Sequence, residues 1–239
     1  MDTGEWTWDS DYKRAILATA DPRILAVIER DEYPEAPYGD ALCPAYYVDR
    51  GTAGQAGDVY HDGESDDLAQ RYLDARDRFQ VAAGYRYNGL STSMIDRSER
   101  MLERWLRIFY DARAQLFSAG YQSDTTVLLL DTPGYREHVG ADTPEALAYR
   151  ASIDDDELFR GEREEWIAFI EGEVYGIGWA VNEQRVTDET PLPDVADLEA
   201  EGWEVSLECW GFYGEDYAKR SAADFEAGSP DLPEMLEAS

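Results

Sequence analysis

The sequence predicts an α+β fold, with a mixed, mainly antiparallel sheet and several packed helices. Three observations point to it. Strand-like and helix-like segments are mixed without the regular βαβ rhythm of a parallel sheet. Asn88-Gly89 separates two short apolar runs, the pattern of a β-hairpin. Arg97–Phe117 carries apolar residues at helical spacing, whereas Trp203–Phe212 alternates with period two. The chain has 239 residues, 44% of them hydrophobic and 13% aromatic, which is enough to build a core.

In chain order, residues 1–20 are expected to form a loose segment, 21–227 a single domain and 228–239 an acidic mobile tail. Arg23–Arg30 is β-rich and predicts a strand. Asp31–Asp40 is an acidic turn region, and Ala41–Val48 is a second strand that Pro44 demotes toward a sheet edge. Gly51–Glu64 is a Gly- and Asp-rich loop. Leu68, Tyr72, Ala75 and Phe79 give Asp66–Phe79 a helical spacing. Val81–Tyr87 and Leu90–Ile95 are the two strands flanking Asn88-Gly89. In Arg97–Phe117, Leu102, Trp105, Phe109, Ala112 and Leu116 form one apolar face of a continuous helix.

Thr125–Leu130 predicts a central strand and Asp131–Gly134 a turn. Thr143-Pro144 opens a helix, and Asp154–Ile170 is a second one with Leu158, Trp166, Phe169 and Ile170 inward. Val174–Val181 is a strand, and Gln184–Gly202 is a Pro- and acid-rich loop. Trp203–Phe212 places Trp203, Val205, Leu207, Cys209 and Gly211 on one side and Glu204, Ser206, Glu208 and Trp210 on the other. Its pairing with 174–181 as antiparallel neighbours is expected from their shared aromatic and glycine content. Glu215–Ala227 is a terminal helix.

Charge is the strongest compositional signal. The chain has 52 acidic and 21 basic residues, a formal −31. Residues 1–150 carry −11 and residues 151–239 carry −20, while 71–110 sum to +3. Such a chain does not hold nucleic acid through phosphates, which needs Lys and Arg, and anionic lipid repels it. No membrane partner is expected. Two distant cysteines, Cys43 and Cys209, predict reduced thiols and a cytoplasmic location, with Cys209 as a small buried hydrophobe. Nearly all cations are Arg, the usage of a GC-rich or salt-loving source.

Motifs for catalysis are weak. Asp131-Thr-Pro-Gly134 follows a strand like the magnesium-side segment of a GTPase, but no G-x-x-x-x-G-K-[ST] loop accompanies it. Two His and two Cys cannot supply a zinc site. The acidic groups Asp58, Asp62, Asp66, Asp67 and Asp154–Asp156 lack the calcium-loop pattern. No cofactor, metal or catalytic residue is therefore assigned. Arg97, Arg100, Arg104 and Arg107 form a 3-4-3 stripe opposite the apolar face. It pairs with the chain's own carboxylates or forms a self-association or partner face.

Four blocks carry a resemblance. They are Asp31-Glu-Tyr-Pro-Glu-Ala-Pro37, Tyr85-Arg-Tyr-Asn-Gly-Leu-Ser91, Glu171-Gly-Glu-Val-Tyr-Gly176 and Cys209-Trp-Gly-Phe-Tyr-Gly214. In order and spacing they resemble a functionally uncharacterised family borne by phages, plasmids and other mobile elements, with G-[DE]-V-Y-G and S-C-W-G-F-[YF]-G strands. That family commonly carries P-W-D-S-G-Q-x-G after its hairpin; here only Ser118-Ala-Gly-Tyr-Gln122 is similar. Within the blocks, Tyr175, Gly176, Trp210, Gly211, Phe212 and Gly214 set rings beside bare backbone, for core packing or as an aromatic contact surface.

The resemblance and the charge together imply an accessory protein that inhibits a nucleic-acid-handling host defence complex by presenting carboxylates in place of phosphates. The acidic anti-restriction and anti-CRISPR mimics share this composition. The expected partner is a basic nucleic-acid-binding protein, met through Asp154, Asp155, Asp156, Glu162, Glu164 and Glu165. A carboxylate- or metal-dependent hydrolase and an acidic domain solvated for high salt are the alternatives.

Overall fold

The computed structural model describes residues 5–37, 43–49, 52–56, 63–82, 92–120, 124–185 and 191–228. The fold is α+β. Among these residues, nine strands form two antiparallel sheets, accompanied by seven helices. The chain groups into two compact units, Met1–Glu35 with Gly172–Ser239, and Ala36–Glu171. The second unit is thus inserted into the sequence of the first, where one domain over 21–227 is the expectation from sequence.

The first unit is built on a five-stranded sheet. Its strands are β1 (Thr7–Trp8), β2 (Arg14–Ala18), β3 (Ile24–Arg30), β8 (Val174–Val181) and β9 (Glu204–Tyr213), in that spatial order. Residues 1–20, expected to be loose, therefore supply two strands. Central β3 is apolar on both faces because both are covered. Ile28 packs with Tyr175, Ile177 and the Ala218 and Ala222 face of the terminal helix (α7, Glu215–Gly228). Leu25 and Val27 pack against Val195, Leu198 and Trp203, which precede β9 in the chain.

The second unit has the sheet order β5 (Thr52–Gln55), β4 (Ala45–Asp49), β7 (Thr125–Asp131), β6 (Arg113–Ala119). Helices cover both faces. Leu128 and Leu130 of β7 meet α1 (Gly63–Ala82) and α2 (Thr92–Tyr110) through Leu68, Tyr72, Leu102 and Leu106. Val127 and Leu129 meet Leu158 at the end of α5 (Asp155–Leu158), Phe159 after it, and Trp166 of α6 (Arg160–Glu171). Between β7 and α5 lie α3 (Pro133–His138) and α4 (Pro144–Ser152), each opened by a threonine whose hydroxyl accepts a backbone N–H.

Several sequence expectations are corrected. Pro44 does not place its strand at an edge. It precedes the first paired residue, Ala45, so its missing N–H removes no ladder bond, and β4 runs between β5 and β7. The helix expected over Arg97–Phe117 ends at Tyr110. Asp111 turns the chain in the left-handed region at φ 48°, and β6 follows. Ala112 and Leu116 satisfy an i,i+4 helical spacing and a period of two alike, so the pattern carries through the junction. Residues 81–82 and 92–95, expected in hairpin strands, belong to α1 and α2; the Asn88-Gly89 turn lies outside the described residues. The helix over Asp154–Ile170 is two helices meeting at Phe159.

The pairing of β8 with β9 is antiparallel, as the sequence predicts, but its register shifts twice, between Tyr175 and Ile177 and between Ile177 and Gly178. These bulges end the simple alternation of β9, so Cys209 is exposed rather than buried. They also press two glycines of β8 against β9. A Cβ on Gly178 would stand 1.9 Å from the Ser206 carbonyl oxygen, and one on Gly176 would stand 2.6 Å from the Trp210 ring. Trp210 is 49% exposed and covers Gly176 from outside.

The two positions differ in what must yield. Gly178→Ala collides with backbone and is expected to destabilise by about 3 kcal/mol. Gly176→Ala displaces a half-exposed ring and costs about 1 kcal/mol, with a change in tryptophan fluorescence. Guanidinium unfolding of both variants checks the order; equal costs would contradict it.

Candidate functional site

The six carboxylates expected at a partner surface have divergent surroundings. Asp154 is exposed and caps α5, accepting the Glu157 N–H at 2.8 Å. Asp155 is drawn inward, taking Arg107 at 2.5 Å and Arg113 on the same oxygen. Asp156 binds Arg163 at 2.7 Å and Gln115 at 3.0 Å, and the Arg163 hydrogen bond holds its carboxyl below the usual aspartate value. Glu162 is buried, 6% exposed. Only Glu164 and Glu165 are exposed on α6 without a cap or ion pair among the described residues. The set is partly structural, and no single outward face unites it.

The arginine stripe divides in the same way. Arg107, in the last turn of α2, is held by Asp155. Arg100 and Arg104 are exposed, and the side chain of Arg97 lies outside the described ones. Among the three described side chains, an ion pair is shown for Arg107 alone.

Asp131 is the residue around which a second constellation forms. β7 is apolar as far as Leu130, and its last residue brings a carboxylate into the interior, 2% exposed. Arg150 of α4 reaches the same carboxylate oxygen at 2.7 Å and Arg136 of α3 at 3.2 Å. Both guanidinium groups are buried, as is Arg113 at the start of β6. Arg113 donates to the carbonyls of Arg150 at 2.6 Å and Ile153 at 2.8 Å as well as to Asp155. Arg136 also donates to the Thr132 carbonyl at 3.2 Å and to both the carboxylate and the carbonyl of Asp111. Together these hold the 131–155 segment against β6 and β7.

The electrostatics of this centre are set by burial. Burial raises the Asp131 carboxyl above the usual aspartate value, although Arg136, Arg150 and Arg113 all pull it down. Burial likewise pushes the Tyr135 phenol up to about 12 and the Cys43 thiol well up, so both stay protonated at neutral pH. Cys43 is thereby inert as a nucleophile.

A cavity of about 390 Å³ opens beside the centre, lined by Arg107, Arg113, Arg136, Arg150, Asp131 and Asp111, with Leu147 among the apolar residues of its wall. It concentrates arginine in a chain of net −31. Sequence reading missed it because its arginines come from four separate elements. The one available signal was Asp131 itself, since an acid ending an apolar strand requires a buried cation.

The family-like blocks converge in the first unit. Tyr175 opposes Phe212 and Val174 opposes Tyr213 across β8 and β9. The Asp31 N–H donates to the Val174 carbonyl at 2.8 Å, and the Tyr213 hydroxyl donates to the Glu35 carbonyl at 3.0 Å. Gly211 and Gly214 have φ of 86° and 93°, and Phe212 packs with Tyr175 and α7. Three blocks thus form one corner; Tyr85–Ser91 lies outside the described residues. Compared with family models, curated proteins and solved structures, the chain finds no match in any of the three. Among the described residues, no group of three or more His, Cys, Asp or Glu is placed to hold a metal ion, and no helix is long and apolar enough to cross a membrane.

Two predictions concern Asp131. Arg150→Met is expected to destabilise by about 3 kcal/mol, because one partner of a buried charge is removed, and Asp131→Asn in the same chain should restore part of the loss. Denaturant unfolding of the single and double variants checks this; no restoration would assign the loss to packing. The second concerns pH. A carboxyl whose pKa is raised on folding contributes stability at low pH that is lost as pH rises through the folded value. The stability of the native chain minus that of Asp131→Asn should therefore fall as pH rises above about 3.9. A difference that grows with pH would show that the arginines outweigh burial.

Proposed function

We propose that the chain is a binding protein whose acidic surface engages a basic, nucleic-acid-handling partner, in the manner of a mobile-element protein acting on host defence. The observation that carries this reading is the distribution of charge in the first unit. It has 26 acidic residues against 7 basic ones, a formal −19. Even with every cation paired, 26 carboxylates against 7 cations leave an excess of 19, and four of the cations are already in ion pairs within the unit. Lys13 holds Glu32, Arg14 holds Glu29 and Glu199, Arg23 holds Asp21, and Lys219 holds Glu215. Arg30 and Arg220 donate to the carbonyls of Gly172 and Asp216, and Arg185 lies over Trp203. Most carboxylates of this unit therefore have no cation left to neutralise them.

Exposed examples are Asp197, and Glu204 and Glu208 on the edge strand β9. A basic groove shaped for phosphates gains from such a surface, and both sides release counterions on contact. The same acidity also suits a domain solvated for high salt, and the test below separates the two.

The immobilised chain should retain DNA- or RNA-binding proteins from lysate at low salt. Added NaCl or competing duplex DNA should release them. Asp197→Asn with Glu204→Gln and Glu208→Gln should lower retention several-fold with the melting temperature unchanged, since each exposed charge contributes little alone. Glu157→Gln with Glu164→Gln and Glu165→Gln tests the second unit in parallel. Retention indifferent to competing DNA and to both triple variants would reject the reading. A melting temperature that keeps rising into molar KCl would then assign the acid to solvation.

A further inference from the structure

We infer that the arginine-lined cavity of the second unit is a binding site for a small organic phosphate. Four arginines face it, and the carboxylates in contact with them are Asp131, Asp111 and Asp155, so the centre retains a net positive charge. A chain with so few cations places four of them around one concavity.

The four do not have equal roles. Each guanidinium offers five N–H donors. Arg113 and Arg136 commit several of theirs to backbone carbonyls and carboxylates, and so form the rigid wall. Among the described residues, Arg150 commits one donor, to Asp131, and Arg107 one, to Asp155. These two therefore keep donors for a ligand. They stand on different helices, α4 and α2, so an anion between them meets two guanidinium groups. A phosphate monoester presents three terminal oxygens and close to two negative charges to this pair, whereas a carboxylate presents two oxygens and one charge.

The volume of about 390 Å³ lies in the range of pockets for small organic molecules. Leu147 and Ala151 give the wall an apolar part, which favours an ester over free phosphate. Asp131 is neutralised where it stands by Arg136 and Arg150, and Asp111 by Arg136, so neither carboxylate meets the ligand as an unpaired charge.

Calorimetric titration at fixed ionic strength tests this with phenyl phosphate, inorganic phosphate and benzoate as probes. Phenyl phosphate should bind saturably at one site, with inorganic phosphate weaker and benzoate at least about tenfold weaker. Arg107→Gln should weaken phenyl phosphate by about tenfold, the loss of one charge-assisted contact. Its partner Asp155 keeps Arg113, so the fold should hold, as an unchanged melting temperature would verify. Arg163→Gln, which removes a cation outside the cavity, should bind as the parent does. Absence of saturable binding, equal affinity for benzoate, or an Arg107→Gln variant that binds as the parent would overturn the assignment. Inorganic phosphate binding as tightly as phenyl phosphate would overturn its organic part.

Discussion

Cations are the scarce component of this chain, and their placement governs much else in it. With 21 basic residues for 52 acidic ones, any carboxylate taken into the interior has to secure one of a small number of arginines. The second unit does this at Asp131 and Asp155. There, Arg107, Arg113, Arg136 and Arg150 tie α2, α3, α4 and the start of β6 to the end of β7 and the start of α5. A buried charge left without its partner is far more costly than an exposed one. The position of each of these elements is therefore coupled to the others through a few guanidinium groups. What remains is an excess of acid over cations, a formal −31 for the chain.

The first unit is organised by shape rather than charge. β3 and β8 pair over seven residues although the second unit separates them in sequence, and β9 closes against β8 so tightly that a Cβ at Gly178 would meet backbone and one at Gly176 would displace the Trp210 ring. The bulges that create this contact turn Cys209 and Trp210 outward. The Trp210 ring then shields the bare backbone of Gly176. Edge-to-edge pairing at β9 is opposed by the irregular register beside it and by the carboxylates of Glu204 and Glu208.

Elements whose apolar period was unambiguous were legible in the sequence. β3, β7, β8 and α7 fall close to where their apolar period places them, α4 starts at the expected Thr143-Pro144 but runs on to Ser152 rather than ending at Ala146, and the β8–β9 pairing followed from aromatic residues beside glycines. The misreadings have identifiable causes. A spacing of four fits both a helix and a strand, so Ala112 and Leu116 carried α2 into β6. A bulge leaves no mark on hydrophobic alternation, so Cys209 was placed inward. The arginine centre was illegible because Arg107, Arg113, Arg136 and Arg150 stand on four different elements, and nothing in local composition says which arginines will converge. The acidity was legible as a total; of the six carboxylates singled out between Asp154 and Glu165, four are exposed, while Asp155 and Glu162 turn inward, which density along the chain does not reveal.

The two electrostatic features of the molecule respond to salt in opposite ways. The acidic surface attracts basic surfaces most strongly when few ions intervene, and screening weakens that attraction. The arginine cavity is locally positive inside a strongly negative chain, so an anion approaching it is repelled by the surface carboxylates and held only by the groups it touches. At an ionic strength near 0.15 M the screening length is about 8 Å, so distant carboxylates fade while contacts within the cavity persist. Salt should thus favour anion entry to the proposed site over the same range in which it weakens attraction to the proposed basic partner. A single chain can in this way present an anionic face and a cationic recess without either cancelling the other, provided the cations are buried, paired and rigid. The pairs of Asp131 with Arg136 and Arg150, and of Asp155 with Arg113, meet that condition, while the exposed Arg107 is held at the rim by Asp155.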